Sequence, residues 1–576
     1  MEKWMVYSKK ADFTKLGRQF HIDPVTARII RNRDVVGEEA VCRYLYGTKK
    51  DMYSAWLMKD MRKAVDILKQ KLAERKKIRI IGDYDADGVN ATCILLKGLR
   101  RCGAAVDSEI PHRMLDGYGI NERLIEEAYQ AGIDTIVTCD NGIAAWKQTK
   151  YASSLGMTVI ITDHHEVPYE ETEGERRYLV PPADAVVNPK QQDCPYPYKG
   201  LCGAAVAYKL IQALYEEFQV PEKELDELLQ FAAVATVGDV MDLQEENRII
   251  VKEGLKLLRK TDNPGLRALM EVNGIEPQTL NSYHIGFVLA PCMNAGGRLD
   301  TAKRALELLM EEDRAAAASM AGELKALNDS RKALTVQETQ KACENLDAAE
   351  VLDKVLVVYL PECHESLAGI IAGKLRERYY RPSFVLTKSE EGIKGSGRSI
   401  EGYSMFEELV KCRQYLDKFG GHPMAAGLSL KEENLEAFRH ALNENCTLTD
   451  EDYICKRWID VPMPFSYITK ELIGEFAVME PFGKGNEKPM FADKNIRVLN
   501  LRMIGQNGNA VKLLLEAADG CRMEALYFGD AAAFMREVSE SSVLSVLYYP
   551  SVNEFRGVEK LQITICGYRI FSSIHN

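Results

Sequence analysis

Seven aspartate and histidine side chains follow three apolar stretches in the first half of this chain of 576 residues. They are Asp83, Asp85 and Asp87 in GDYDADG, Asp140 in TCDNG, and Asp163, His164 and His165 in TDHHE. If the apolar stretches are strands of one parallel sheet, their carboxyl ends lie at the same crevice and these side chains converge there. Such a cluster of carboxylates repels itself strongly unless a cation binds. The pattern therefore predicts a metal site.

The types of ligand indicate which metal this site would take. Oxygen ligands together with one or two imidazoles are typical of Mn²⁺ or Mg²⁺ rather than of zinc or calcium. The number of candidate ligands is enough for two ions. Two ions about 4 Å apart are used for in-line phosphoryl displacement, in which one activates water and both stabilise the developing charge. The pattern favours a metal-dependent hydrolase of phosphate esters.

Two other roles are open to the same carboxylates. A single aspartate in a strand-to-helix turn usually caps the helix. The DxDxDG pattern also resembles the start of an EF-hand loop, but that loop requires a glutamate where this chain has Ile94. Three acidic strand ends in register, one of them followed by two histidines, are better explained by a metal site.

An alternation of strands and helices surrounds these motifs and would position them. Apolar strands alternating with helical stretches predict βαβ units and a parallel sheet, and so an α/β fold. Helical character then dominates from about residue 201 to 273, and residues 301–360 contain Gly322 as their only helix breaker, which predicts a long helical connector. The predicted strands of the sheet are residues 77–81, 134–138, 157–162 and 185–187.

A second α/β alternation begins after the connector, with strand KVLVVYL, helix SLAGIIAGKLRERY and strand SFVLT. After about Pro489 there are five short β segments, with the helical segment AAAFMREV between the third and the fourth, and this order suggests an OB-like β-barrel. The patterns divide the chain into an N-terminal helical extension (1–70), a parallel-sheet domain (71–300), the helical connector (301–350), a smaller α/β domain (351–460) and the OB-like domain (461–576).

Composition excludes several classes of protein. Hydrophobic residues make up 46% and charged residues 28%, as in ordinary globular proteins, and the net charge of −11 excludes a wholly basic nucleic-acid coat protein. There is no apolar run near the roughly 20 residues of a membrane span, and the N-terminus MEKWMVYSKK lacks a signal-peptide stretch. The 14 cysteines are scattered without a C-x-x-C pair, which favours a reduced, cytoplasmic protein.

The ordered set of motifs resembles the DHH phosphoesterases, and within them the RecJ family of exonucleases. The resemblance extends from residue 82 to 489, and its motifs occur in the RecJ order: GDYDADGVNAT, PHRMLDGYGI, TCDNG, TDHH, VVNPKQQDCPYPYKGLCGAAVAYKL, TVGDVMDLQEENR, NAGGRL, GSGRS, FGGHPMAAG and PFGKGNEKP. It implies that the parallel-sheet domain is a catalytic DHH domain and that the second α/β domain is the DHH-associated domain.

The resemblance also implies roles for single residues. His165 would contact the scissile phosphate and support the attacking water, and Asp140 would bridge two ions. The implied metal ligands are Asp83, Asp85, Asp87, Asp140, His164 and Asp239. The assignment of the three aspartates of DYDADG to particular ions stays open.

The second domain would hold the substrate through its glycine-rich segments GSGRS and FGGH, which let the backbone approach a phosphate. Residues 371–398 carry seven Lys or Arg against three Glu, which indicates either a phosphate track or a solvated helix face. The expected substrate-binding residues are Arg113, Tyr118, Arg298, Ser396, Gly397, Arg398 and His422. One departure concerns the substrate: Cys292 stands where RecJ proteins usually have an arginine.

The function implied is removal of 5′-mononucleotides from the 5′ end of single-stranded DNA, with Mn²⁺ or Mg²⁺ as cofactor, in DNA recombination and repair. Two alternatives stay open: a DHH phosphodiesterase acting on short oligonucleotides or cyclic dinucleotides, and a nucleic-acid-binding scaffold without catalysis. The OB-like tail would bind single strands or a protein partner, such as a single-strand-binding protein or a helicase. The chain is expected to act as a monomer.

Overall fold

A computed structural model describes residues 2–113, 116–172, 175–390, 392–505, 508–555 and 557–571 of the chain. Glu391, one of the glutamates in the charge count above, lies outside these residues. The chain forms two compact units. The first consists mainly of Tyr53–Met241 and Gly254–Cys455, and the second of Lys3–Met52, Asp242–Glu253 and Lys456–Asn576.

The N-terminal region is mostly helical, as expected, but it begins with a strand. Its elements are β1 (Glu2–Val6), α1 (Phe13–Phe20), α2 (Pro24–Asn32), α3 (Glu38–Tyr46) and α4 (Met61–Ala73). Asp12 caps α1 and Asp23 caps α2, each accepting a hydrogen bond from a backbone N–H of the first turn.

The parallel sheet of the first unit has the strand order β3-β2-β4-β5-β8. All four predicted strands are present. The elements of this region are β2 (Lys77–Ile81), α5 (Ala86–Arg101), β3 (Ala105–Glu109), α6 (Glu122–Gln130), β4 (Thr135–Cys139), α7 (Trp146–Ser154), β5 (Thr158–Thr162), β6 (Tyr169–Thr172), β7 (Glu175–Tyr178) and β8 (Ala185–Val187). Strand β3 was not predicted, because it is a partly exposed edge strand with the polar sequence AVDSE.

A run of helices follows the sheet in the chain and leads to the connector. They are α8 (Gly203–Phe218), α9 (Glu222–Gly238), α10 (Glu245–Leu258), α11 (Pro264–Val272), α12 (Ser282–His284), α13 (Ala290–Leu299), α14 (Lys303–Met310) and α15 (Arg314–Asp347). A π-helical turn, Ile285–Leu289, joins α12 to α13. The 34-residue helix α15 confirms the predicted connector. Helix α5 is buried along most of its length between the sheet and α8 and α9.

The second α/β region of the first unit has a five-stranded sheet in the order β12-β13-β11-β10-β9. Its elements are β9 (Leu356–Tyr359), α16 (Glu365–Tyr379), β10 (Ser383–Ser389), β11 (Gly392–Arg398), α17 (Met405–Lys411), β12 (Lys418–His422), β13 (Ala425–Leu430) and α18 (Leu435–Asn445). The segment GSGRS, read from the sequence as a glycine-rich loop, lies on strand β11. At Gly397 a Cβ would lie 2.6 Å from the ring of Phe384, so the glycine allows close packing inside the sheet.

The second unit contains a closed five-stranded barrel in the order β16-β17-β18-β20-β19, with β19 pairing back to β16. This confirms the predicted OB-like domain. Its elements are β14 (Cys455–Ile459), β15 (Val461–Pro462), α19 (Lys470–Val478), β16 (Phe491–Ile504), β17 (Ala510–Glu516), β18 (Arg522–Tyr527), α20 (Ala531–Glu537), β19 (Val543–Phe555) and β20 (Val558–Ile570). Among the described residues there is no helix that combines the length and the hydropathy needed to cross a membrane.

Candidate metal and phosphate site

The carboxylates of DYDADG are held by the start of two helices. Asp85 caps α5 by accepting hydrogen bonds from the N–H groups of Asp87 (2.9 Å) and Gly88 (3.1 Å). Asp87 points across to the start of α8, where it accepts hydrogen bonds from the N–H groups of Gly203 and Ala204, both 2.7 Å long. The two backbone N–H groups at this helix N-terminus bind both oxygens of the carboxylate, so these contacts fix the position of Asp87.

His164 lies at the centre of a second set of carboxylates, next to the carboxyl end of β5. Its Nε2 atom lies 3.0 Å from Asp140 Oδ1, 3.6 Å from Asp87 Oδ2 and 3.8 Å from Asp239 Oδ2. Asp140 follows β4 with a left-handed backbone (φ 61°), and Asp239 follows the last residue of α9. Three separate elements thus bring these side chains to one imidazole nitrogen.

Asp140 belongs to two groups of possible metal ligands. One group is Asp83, Asp85 and Asp140, and its ligand atoms all lie within 4.8 Å of one another. Asp140 also forms a group with His164 and His165 by the same measure, and Asp87, His164 and Asp239 form a third. The last two groups share His164 and so form one ligand set. Asp140 belongs both to this set and to the set with Asp83 and Asp85, and therefore lies between the two.

Burial and mutual repulsion make this cluster unfavourable without positive charge. Burial and the neighbouring aspartates raise the pKa of Asp83 and Asp140 well above the ordinary value, and the same causes raise the pKa of Asp239 to about 8. Burial lowers the pKa of His164, so its imidazole is neutral and can donate a lone pair to a metal.

The donor atoms present fit divalent cations. Asp83 Oδ1 and Asp140 Oδ1 are fully buried and accept no hydrogen bond from the described residues. Buried carboxylate oxygens without a partner are costly, and a bound cation removes that cost. Carboxylate oxygens with one neutral imidazole are a donor set of the kind that Mn²⁺ and Mg²⁺ prefer.

His165 is held in place by Asp163 and Tyr118. Its Nδ1 lies 2.8 Å from Asp163 Oδ1, and the Tyr118 hydroxyl lies 3.1 Å from the same nitrogen. Tyr118 also donates a hydrogen bond of 2.7 Å to the backbone oxygen of Asp140. Burial alone would lower the pKa of His165, but the hydrogen bond to Asp163 and the nearby carboxylates raise it to about 9. The ring is therefore a cation held in place, and its Nε2 lies 3.4 Å from the Tyr118 hydroxyl.

Three family models match the chain: the DHH family, N-terminal domain over residues 77–236, the DHHA1 domain over residues 352–447 and the RecJ OB domain over residues 459–567. The single-stranded-DNA-specific exonuclease RecJ of Bacillus subtilis (strain 168) is 38% identical over 568 residues, covering 98% of this chain and 70% of that protein. The protein of the same name from Escherichia coli (strain K12) is 32% identical over an alignment that covers 94% of this chain and 95% of that protein. The chain belongs to the RecJ family.

Solved RecJ structures share the fold. RecJ from Thermus thermophilus in complex with Mn²⁺ superimposes with a TM-score of 0.82 at 28% identity, covering 98% of this chain and 79% of that one. A second exonuclease RecJ bound to manganese has a TM-score of 0.59 at 34% identity, covering 70% of this chain and 98% of its own. The metal site predicted from the acidic strand ends thus lies in a chain whose RecJ relatives bind manganese.

An arginine cluster lies beside the acidic site of this RecJ chain. Arg298 on α13 is the central member, and it donates a hydrogen bond of 2.6 Å to the backbone oxygen of Ser366 on α16. Burial and the neighbouring guanidinium groups of Arg113, Arg331 and Arg398 lower the pKa of Arg298 to about 10. Arg113 also lies over the ring of Tyr84, 4.7 Å from its centroid. Four cations so close together indicate an anion-binding surface.

The expected substrate-binding residues of the second α/β region lie on strands β11 and β12. Ser396 and Arg398 lie on one face of β11, towards α16, where the Arg398 guanidinium approaches Gly369. Gly397 lies on the opposite face, against the core. His422 ends the exposed edge strand β12, and its side chain makes no hydrogen bond to the described residues. The structure therefore groups Arg398 with Arg113 and Arg298, and it places His422 two strands from Arg398 in the same register, since Ala425 of β13 pairs with both.

The sequence did not indicate the roles of three residues that support the site. Asp163 was counted among the acidic strand ends, but it accepts hydrogen bonds from the N–H groups of His164 and Ile143 and acts on His165. Asn294 accepts a hydrogen bond of 2.6 Å from the Ala86 N–H and so holds the turn before α5. The third residue is Gly203. The motifs NAGGRL and GLCGAA contain these last two positions, but no spacing rule indicates what they contact.

Proposed function

We propose that this chain is a metal-dependent exonuclease that removes 5′-mononucleotides from the 5′ end of single-stranded DNA, in DNA recombination and repair. The observation that carries the proposal is the position of Asp140 between two ligand sets at the carboxyl edge of the parallel sheet. Two sets that share one carboxylate suit two divalent ions, Mn²⁺ or Mg²⁺. RecJ relatives are named for specificity towards single-stranded DNA.

The proposed ligands are the six residues implied by the family motifs: Asp83, Asp85, Asp87, Asp140, His164 and Asp239. When bound, the two ions supply Lewis-acid activation of water and offset negative charge on the reacting phosphate. His165 donates a hydrogen bond to a non-bridging oxygen of that phosphate. Asp163 and Tyr118 keep its ring in place, so no reorganisation is needed during the reaction.

The arginine cluster would define which end of the strand is degraded. Arg113, Arg298 and Arg398, with Ser396 on the same face of β11 as Arg398, are proposed to bind the terminal 5′-phosphate. A cluster fixed beside the metal ligands sets the distance from the bound end to the phosphate that is hydrolysed. Release of single nucleotides from the 5′ end follows from that arrangement.

The direct test uses single-stranded DNA labelled at either the 5′ or the 3′ end, incubated with the purified protein and Mn²⁺. We expect immediate release of labelled mononucleotide from the 5′ end only, and none from Asp140→Ala. Asp184→Asn is a matched control, because Asp184 is another carboxylate next to the sheet, bound to the Val159 N–H at 2.8 Å. Cleavage of dinucleotides without degradation of long strands would indicate the short-oligonucleotide activity, and inactivity on both would indicate a scaffold.

The remaining features of the proposal concern location and partners. We place the protein in the cytoplasm as a monomer, with a single-strand-binding protein or a helicase as partner of the barrel domain. All 14 cysteines are free of disulfide bonds, as expected in a reducing compartment. Size-exclusion chromatography with light scattering tests the oligomeric state.

A further inference from the structure

Val240 has an unfavourable backbone conformation directly after the proposed metal ligand Asp239. Its φ is 55°, in the left-handed region that disfavours β-branched residues most strongly. Among the described residues other than glycine that have a positive φ, it is the only β-branched one. The conformation ends α9, since the N–H of Met241 donates a hydrogen bond of 3.1 Å back to Thr236 O, and glycine is the usual residue in such a turn.

Packing of the Val240 side chain does not compensate for this strain. The residue is 61% exposed, so its isopropyl group stays largely in water on a backbone that its branching disfavours. The end of the helix requires a left-handed residue, but it does not require valine. Strained residues of this kind cluster at sites that act on a ligand. Val240 is therefore a candidate for contact with the substrate.

The arginine cluster and Val240 lie next to different ligand sets. Burial lowers the pKa of Arg298, and among the carboxylates Asp85 opposes this effect most, so the cluster lies next to the ligand set that contains Asp85. Val240 follows Asp239, which belongs to the other set. With the terminal 5′-phosphate at the cluster and the phosphate between the first two nucleotides at the ions, the second nucleotide lies on the Asp239 side.

The turn packed against the end of α9 carries two exposed aromatic rings. Gly286 of the π-helical turn lies so close to α9 that a Cβ there would be 3.3 Å from Val237 Cγ1. Phe287 in the same turn and Tyr283 before it are 67% and 62% exposed, and their rings stack with centroids 4.8 Å apart. Exposed apolar groups suit the face of a base, whereas a phosphate requires cations.

We propose that Val240 contacts the base of the second nucleotide, the one that follows the hydrolysed phosphate, and so helps to hold that phosphate at the ions. The inference rests on the proposed function, since it extends the same bound strand by one nucleotide. Every base presents an apolar face, so the contact applies to strands of any sequence. Val240 is thus a substrate-contacting residue, and its strained backbone directs the side chain towards the strand.

The test compares Val240→Gly with Val240→Ile and with Gln219→Gly. Gln219 is the matched control, because it ends α8 with a φ of 54° and is also exposed. Each variant is assayed with Mn²⁺ on 5′-phosphorylated oligothymidylate and on the same strand with a stable abasic analogue as the second or the sixth nucleotide. The quantity measured is kcat/KM for release of the first nucleotide, and thermal unfolding is recorded for every variant.

In the parent, removal of the second base should lower kcat/KM about tenfold, the scale of one base contact. Val240→Gly should lower kcat/KM on the intact strand by a similar factor, and removal of the second base should then have little further effect. Val240→Ile and Gln219→Gly should match the parent on every strand, and the analogue at the sixth nucleotide should not distinguish the variants. Both glycine variants should unfold at a higher temperature than the parent, because glycine adopts this φ without steric cost.

Two results on the strands would overturn the inference: a full effect of the second base in Val240→Gly, or an equal loss of kcat/KM in Gln219→Gly. A lower unfolding temperature for Val240→Gly would also overturn it, since the side chain would then serve stability. A parent protein that does not degrade the intact strand would instead contradict the proposed function.

Discussion

Asp163 and His165 have different roles from the other acidic and histidine residues that follow the strands. Asp163 is fully buried, and its hydrogen bonds to backbone N–H groups and to His165 hold its pKa below the ordinary value despite burial. A carboxylate satisfied in this way has little affinity left for a cation. Its charge instead favours the protonated form of His165, the residue proposed to contact the reacting phosphate.

Replacing Asp163 with Asn should therefore impair catalysis more than metal binding. The amide keeps the size of the side chain but removes the charge that favours protonated His165, so the pKa of His165 should fall from about 9. We expect the single-turnover rate to fall about 100-fold, the lower range for loss of a positioned acid or base. Proton NMR titration of the imidazole in metal-free protein measures the pKa. Asp184→Asn should change neither quantity, and an unchanged titration in Asp163→Asn would contradict the assigned role.

The metal-free protein should become less stable as pH rises. The pKa of Asp239 is raised from 3.8 to about 8, so the stabilisation from its protonated form is complete below pH 3.8 and is lost as pH rises through about 8. His165, with a pKa of about 9, acts in the same direction. Between about pH 6 and 9 the Tm in EDTA should fall, and Mg²⁺ should restore it by a margin that grows with pH.

Asp239→Asn should flatten this dependence, because the neutral amide cannot lose a proton. Asp193→Asn is the control, since Asp193 pairs with Lys59 and its lowered pKa places its titration below this range. Thermal unfolding followed by circular dichroism at several pH values measures each dependence. Equal slopes for Asp239→Asn and the parent would exclude Asp239 as the titrating group.

At the level of elements, the start of α8 is fitted closely to the site. A Cβ at Gly203 would lie 2.6 Å from Asp140 Cβ, too close for either atom to stay in place. Gly203→Ala should therefore displace Asp140 or α8, with loss of the Asp87 hydrogen bonds and a fall in activity of at least about tenfold. Isothermal titration with Mn²⁺ should show weaker binding.

Gly322 provides the matched control for that substitution. It lies within α15, and a Cβ there would meet no atom within 4 Å. Gly322→Ala should leave activity unchanged and raise the free energy of unfolding by up to about 1 kcal/mol, since alanine favours a helix over glycine. If Gly203→Ala behaved in the same way, the close approach of α8 to Asp140 would not matter for function.

The elements that the sequence predicted are those with a strong local pattern. Strands β2 and β8 begin and end where the apolar runs KIRII and AVV do, and the alternation with helices indicated a parallel sheet. The convergence of Asp83, Asp140 and His164 followed from that topology alone, because parallel strands bring their carboxyl ends to one edge.

The elements that the sequence did not predict depend on tertiary contacts. Asp239 follows a helix rather than a strand, so only family resemblance indicated it as a ligand. The glycines of β11 disfavour a strand by propensity, but the strand pairs with β10 on one side and β13 on the other, and this pairing outweighs the propensity. Arg331 carried no motif, and its place beside Arg298 depends on how α15 packs on α13.

At the scale of the whole chain, the second unit joins segments that are far apart in sequence. Phe20, Ile29 and Ile30 from the N-terminal helices pack in one hydrophobic core with barrel residues such as Phe491 and Val546. Arg33 and Asp460, each only 3% exposed, form a two-point ion pair of 2.7 and 3.0 Å within this unit. The N-terminal helices are therefore an integral part of the barrel unit, and they cannot complete their core until the C-terminal segment has been synthesised.

This ion pair gives the last prediction. Arg33→Met leaves Asp460 buried and without its cation, so it should destabilise the second unit by about 3–5 kcal/mol, whereas Arg33→Met with Asp460→Leu should recover much of that loss. Arg43→Met is the control, because its partners Glu39 and Glu245 are 90% and 40% exposed and surface pairs contribute about 1 kcal/mol or less. Hydrogen exchange of the amides of β16 and β19 measures the opening free energy of the barrel. Equal protection in Arg33→Met and Arg43→Met would show that the N-terminal helices do not stabilise the barrel through this pair.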